Sequence, residues 1–162
     1  MRAAVSVLAL VLLVTGCSEG VPGTAVEAKL FDPCTDLSNE ALWQANLLPD
    51  SKSDLVQFDG WHICSWDDST DWYRNTAIYS TELRLVDFRA NKTKTEFRDI
   101  EVNGRQALEY KEVNTRELAC TVGFETARGS VHVEVGWLSN APANRCQLAA
   151  EHASRLLPYL PD

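Results

Sequence analysis

Five cysteines are the residues of this 162-residue chain whose type and spacing most constrain its chemistry. Cys17 closes the run Val14-Thr15-Gly16-Cys17, directly behind an apolar stretch from Ala3 to Leu13. A thiol in that position is the kind that receives diacylglycerol before cleavage, because small residues ahead of it let the bulky modified cysteine enter a narrow peptidase site. Assigning Cys17 to lipid leaves Cys34, Cys64, Cys120 and Cys146. An even number in an exported chain reads as two disulfides. A zinc site competes, but no two of the four have C-x-x-C spacing, and an oxidising compartment disfavours free thiolates, so no metal and no cofactor are expected.

The other side chains capable of chemistry point mostly to structure. His132 and Glu134 alternate outward on an apparent hairpin arm; a solvated sheet face is preferred to a general acid or base pair, since no nucleophile can be placed beside them. His62, between Trp61 and Ile63, reads as a packed strand residue, and His152 as an edge residue of the last helix. Asp67, Asp68 and Asp71 could offer oxygens to calcium, yet they lack the spacing of a calcium loop and read as an acidic surface turn. Asn91-Lys92-Thr93 matches a glycosylation sequon but is expected to be a plain surface loop. Five tryptophans are the compositional excess, and Trp61, Trp66 and Trp72 cluster around the acidic turn. Most should pack, while Trp66 and Trp72 are the candidates for facing a sugar or apolar ligand. The chain has no G-x-S-x-G, H-E-x-x-H, phosphate-loop or dinucleotide glycine pattern, and no catalytic residue is assigned.

Positioning these groups starts at the N-terminus. Met1 and Arg2 form a short positive segment, and Ala3 to Leu13 is too short to span a bilayer, so residues 1–16 read as a signal peptide. The Val14 to Cys17 run resembles the bacterial lipobox, with Val14 where leucine is commoner. Residues 17–29, the lipidated cysteine followed by small and polar residues with Gly20, Pro22 and Gly23, read as a tether. Residues 30–162 are of a size for one domain. Removing the signal takes one cation, Arg2, from 15 Lys and Arg against 23 Asp and Glu, so the mature charge is −9. Nucleic acid and anionic headgroups are thereby disfavoured as partners.

The domain reads as α+β. A helix is expected from about Ser38 to Leu48, capped by Ser38, stapled by Leu37 on Leu42 and stopped by Pro49. Trp61 to Trp66 and Thr76 to Val86 read as adjacent strands joined by the acidic segment. Ile100 to Val102 and Ala107 to Tyr110 flank Asn103-Gly104, a tight-hairpin dipeptide, while Lys94 to Arg98 could begin as a helical turn. The clearest hairpin sets Leu118 to Glu125 against Ser130 to Leu138 through Ala127-Arg128-Gly129, with Leu118, Cys120, Val122 and Phe124 facing the core together with Val131, Val133, Val135 and Trp137. Asn144 to Leu157 reads as a helix with an apolar stripe through Cys146, Ala149, Ala150, Ala153 and Leu157. Packing that stripe on the hairpin brings Cys146 to Cys120 and leaves Cys34 to pair with Cys64. The expected architecture is a twisted antiparallel sheet covered on one face by an N-terminal and a C-terminal helix.

Asp32-Pro33-Cys34 before a helix, Cys64-Ser65-Trp66 in a strand, the Gly104-Arg105 turn, then Cys120 and Cys146 resemble the framework of a family of actinobacterial cell-envelope lipoproteins of unknown function, similar to mycobacterial LprB and LprC. The resemblance implies the fold, the lipid anchor and the envelope setting, and it implies no activity. Function is expected to be that of a non-catalytic binding or accessory module on the outer face of the cell membrane, engaging an envelope protein, lipid or glycan. An envelope hydrolase and a sensor subunit of a membrane protein are the alternatives.

Overall fold

The computed structural model describes residues 29–54, 58–115 and 117–162. The signal segment, Cys17 and most of the tether lie outside the described residues. A six-stranded, wholly antiparallel sheet forms the domain: β1 (Trp61–Asp67), β2 (Arg74–Thr81), β3 (Lys94–Val102), β4 (Arg105–Glu112), β5 (Ala119–Thr126) and β6 (Gly129–Trp137). Their order is β1-β2-β6-β5-β4-β3, so the last strand inserts beside the second. Helices α1 (Pro33–Asp36), α2 (Asn39–Gln44) and α4 (Arg145–Leu156) accompany it, and α3 (Leu85–Ala90) lies between β2 and β3. No helix among the described residues is long and apolar enough to cross a membrane.

Strand alternation builds the main core. Cys64 and Trp66, Ile78, Cys120, Val122 and Phe124, and Val131, Val133, Val135 and Trp137 are buried on one face. Helix α4 lies over β5 and β6 with Ala149 and Ala153 fully buried, and such small side chains let its backbone approach the sheet. Cys120 and Cys146 are thereby joined, with Cα atoms 5.1 Å apart, and Cys34 and Cys64 are joined at 5.4 Å. Both disulfides and the α+β class are as the strand alternation implies. The buried stripe of α4 differs in detail, running through Ala149, His152, Ala153 and Leu156 rather than ending on Leu157.

Several boundaries correct the reading of the sequence. The first long helix is only α2. Ser38 caps it, accepting from Ala41 N at 3.1 Å, and Leu37 and Leu42 are buried as a staple requires. It stops well before Pro49 because Asn46 adopts φ 61°, with Asn46 N donating to Trp43 O and Leu47 N to Leu42 O, the paired bonds of a Schellman end. The expected strand from Thr76 to Val86 ends at Thr81, and Leu85 and Val86 belong to α3, whose first turn is held by Leu85 N donating to Glu125 Oε1 at 3.0 Å. Lys94 to Arg98 is strand, not helix; a register shift between Thr95 and Arg98, with Glu96 at φ 53°, marks a bulge in β3. Asn103 and Gly104 both take positive φ, as a type I′ hairpin requires. Leu118 precedes β5 in a turn and lines a surface hollow instead of the core.

Candidate functional site

The second face of the sheet is where polar chemistry concentrates. Register sets Ile63, Tyr79, His132, Gly123 and Leu108 in one row across β1, β2, β6, β5 and β4, and Ser65, Ala77, Glu134, Thr121 and Tyr110 in the next. Helix α3 lays Phe88 over the first row, its ring 4.1 Å from the His132 ring, while Tyr79 stacks on the imidazole at 4.9 Å. His132 is fully buried, which corrects the expectation of a solvated pair with Glu134. Alternation does send it away from the main core, but that direction leads into a second, aromatic core.

His132 is the middle of a directional hydrogen-bond chain. Leu83 O can only accept, so Ser130 Oγ donates to it at 2.6 Å and must accept from His132 Nε2 at 2.8 Å. That places the imidazole proton on Nε2, so Nδ1 accepts from Tyr110 Oη at 3.0 Å, and Tyr110 Oη accepts from Tyr79 Oη at 2.7 Å. Burial, with the nearby Lys94 charge, holds the His132 pKa down at about 3, and burial pushes both tyrosine hydroxyls up. All four groups are neutral at physiological pH. Gly123 makes room for the ring: a Cβ there would stand 2.5 Å from His132 Nδ1.

Beside this chain the face is open. One hollow of about 410 Å3 is walled by Phe58, Trp61, Ile63 and Tyr79, with Lys94, Glu112 and Glu134 as its polar groups. A second, of about 250 Å3, includes Trp72, Tyr73, Leu118 and Leu138. Glu134 borders both, and Ala77, Gly136 and Ala119 lie in the same and the adjoining row, where small side chains give the trough its depth. Glu134 Oε2 accepts from Thr121 Oγ1 at 3.1 Å. Burial raises the Glu134 carboxyl above its usual range, partly offset by that hydrogen bond and by Lys94. Lys94 is ion-paired with Glu112, and its Nζ lies 5.7 Å from the Tyr110 ring and 5.8 Å from that of Phe88. Burial lowers the Lys94 pKa, against the field of Glu134.

The residues singled out in the sequence separate. Trp72 is 87 % exposed at the rim of the smaller hollow, whereas Trp66 is core, 2 % exposed, and cannot face a ligand. Asp68 is no surface acid: it is buried, salt-bridged to Arg74 at 2.8 Å, with His152 Nε2 3.3 Å from its other carboxylate oxygen. Burial alone would raise its carboxyl pKa, but hydrogen bonds from His152, Arg74 and Thr70 outweigh that and hold it well below the usual range. His152 is likewise buried rather than at the helix edge, with Nδ1 3.5 Å from Thr76 Oγ1, so this network ties α4 to the β1–β2 turn. Among the described residues, Glu109, Cys120 and Cys146 come close enough to share a metal, but both sulfurs are consumed in a disulfide. Glu134, Lys94 and the aromatic wall were missed as a site, although alternation through Glu134 and the aromatics at Phe58 and Trp61 were visible signals.

Fold and trough together define a small α+β domain stapled by two disulfides, one sheet face closed by helices and the other partly open. The chain belongs to a family of proteins of unknown function, DUF3558, whose model matches residues 12–159. No curated protein and no solved structure matches it.

Proposed function

We propose that this chain is an actinobacterial cell-envelope lipoprotein, similar to mycobacterial LprB and LprC, anchored outside the cell membrane by lipid on Cys17, and that its domain is a non-catalytic binding module. The observation that carries the binding role is the trough, an open sheet face with aromatic walls at both ends and a carboxylate between them. The Val14 to Cys17 run supports the anchor, and two disulfides suit an oxidising compartment. Three hydroxyl–imidazole pairs among the described residues, Ser130 and Tyr110 with His132 and Thr76 with His152, are all buried, and Ser130 spends its proton on Leu83 O, so none is a nucleophile that a ligand in the trough would meet.

Intact mass and fractionation of the chain expressed in an actinobacterial host test the anchor. A diacylated N-terminus at Cys17 in the membrane fraction is expected, and Cys17→Ala should release the protein or leave the precursor uncut. An unmodified mature chain starting elsewhere would overturn it. Envelope lipid and glycan fractions titrated against the mature protein, with tryptophan emission as readout, test the binding role. Saturable binding weakened by Trp61→Ala or Trp72→Ala is expected; turnover of the bound material would establish a hydrolase instead, and co-purification of a membrane partner without ligand binding would establish an accessory subunit.

A further inference from the structure

We infer that the trough selects a cationic amphiphile, a molecule bearing an ammonium group on an apolar body, with the ammonium at Glu134 and the apolar part against Trp61, Ile63 and Phe58. The inference rests on the binding reading above and adds the class of ligand. Glu134 borders both hollows, one of its oxygens accepts from Thr121, and among the described residues Oε1 has no hydrogen-bond partner. An oxygen that lines an open hollow and accepts from no protein donor is accessible to a ligand N–H group, and a charge-assisted bond from an ammonium is stronger than one from a neutral donor.

Charge decides the sign of the ligand. Asp67, Glu112 and Glu134 line the two hollows, opposed by Lys94 and Arg74. Lys94 is held by Glu112, and Arg74 by the buried Asp68, so Glu134 and Asp67 are left as the surplus. An anionic head would face that surplus and find both cations engaged. The site also contains its own precedent, since the Lys94 ammonium rests within cation–π distance of Phe88 and Tyr110. A volume near 410 Å3 suits a molecule of small to moderate size. Affinity should rise with pH as Glu134 loses its proton.

Calorimetric titration of the whole mature sequence carrying Cys17→Ala, which needs no detergent, with octylammonium, octanol and octanoate is the test. Octylammonium is expected to bind saturably, octanol about tenfold more weakly and octanoate not measurably. Glu134→Gln should lower octylammonium affinity about tenfold with octanol unchanged, whereas Lys94→Gln should raise it several-fold by removing the competing cation. Opposite effects of two neighbouring variants are not produced by a general loss of folding, which far-UV circular dichroism checks separately. Equal binding of octanol and octylammonium, or no response to either variant, would overturn the charge selection and leave the binding role intact. Failure of all three probes, with envelope fractions still binding, would overturn the ligand class; failure of both would sink the trough reading with it.

Discussion

His132 makes stability depend on pH in a calculable way. The unfolded imidazole titrates near 6.5, whereas the folded one resists protonation down to about 3 because it is fully buried among Tyr79, Phe88 and Tyr110 with Lys94 nearby. A depressed histidine pKa means that only the unfolded state takes up a proton between those values, so stability falls as pH drops below 6.5, by about 1.4 kcal/mol per pH unit. From pH 7.5 to 5 the loss is about 2 kcal/mol. Glu134 acts oppositely, since its raised pKa favours the folded state at low pH and loses that advantage as pH rises. Asp68, held below its usual value, contributes fully above the unfolded carboxylate pKa of 3.8 and so is constant across this window. The comparison that isolates His132 is therefore wild type against His132→Gln. Urea unfolding followed by tryptophan emission gives both stabilities at pH 7.5, 6 and 5. Whatever the substitution costs at pH 7.5, the gap should shrink by about 2 kcal/mol at pH 5. A constant gap, or an imidazole that titrates near 6.5 by NMR in the folded protein, would refute the assignment of a neutral buried ring.

Gly123→Ala should destabilise by about 2 kcal/mol in thermal or urea unfolding, because the new methyl overlaps the fully buried His132 ring, which its hydrogen bonds and the Tyr79 and Phe88 rings packed on it hold in place. Reducing either disulfide should cost about 3.5 kcal/mol from the chain entropy of the closed loops, whose ends are 30 and 26 residues apart; non-reducing peptide maps should link Cys34 to Cys64 and Cys120 to Cys146 and no other pair. Trp66→Ala should lose about 3–5 kcal/mol as a cavity opens in the main core, while Trp72→Ala, at an exposed rim, should change stability by less than about 0.5 kcal/mol in the same assay.

The parts of this fold that were legible in the sequence are those governed by local rules. Alternation from Cys120 to Phe124 and from Val131 to Trp137 identified a buried face, Asn103-Gly104 identified a turn, and the buried face with the alanine-rich stripe of the last helix was enough to pair Cys120 with Cys146 and leave Cys34 for Cys64. Helix α3 was hidden because Leu83, Leu85 and Val86 prolong the strand-like composition of β2, and its first turn is held by Leu85 N donating to Glu125, forty residues away. The early end of α2 turned on Asn46 entering the left-handed region, a choice that tertiary contacts make. The site was only half legible for a geometric reason. Alternation correctly turned His132 and Glu134 from the main core, but the destination of that second face depends on α3 and on the aromatics of β1 and β2, which no local pattern brings together.

The insertion of β6 beside β2 has a consequence for how the chain is made. Beyond the hairpin with β1, residues 74–81 find their second partner only when residues 130–137 have emerged, so the first hairpin must wait with the edge of β2 unpaired while half the domain is still being delivered. Each disulfide, by contrast, lies wholly within its own half, one closing before β2 begins and the other after β4 ends. Oxidation can thus secure two separate pieces in the order of their arrival, and the central strand then joins pieces that are already shaped. The slow step of folding is expected to be this late docking of two prefabricated halves, with the early half the one most exposed to capture by chaperones or by other copies of itself.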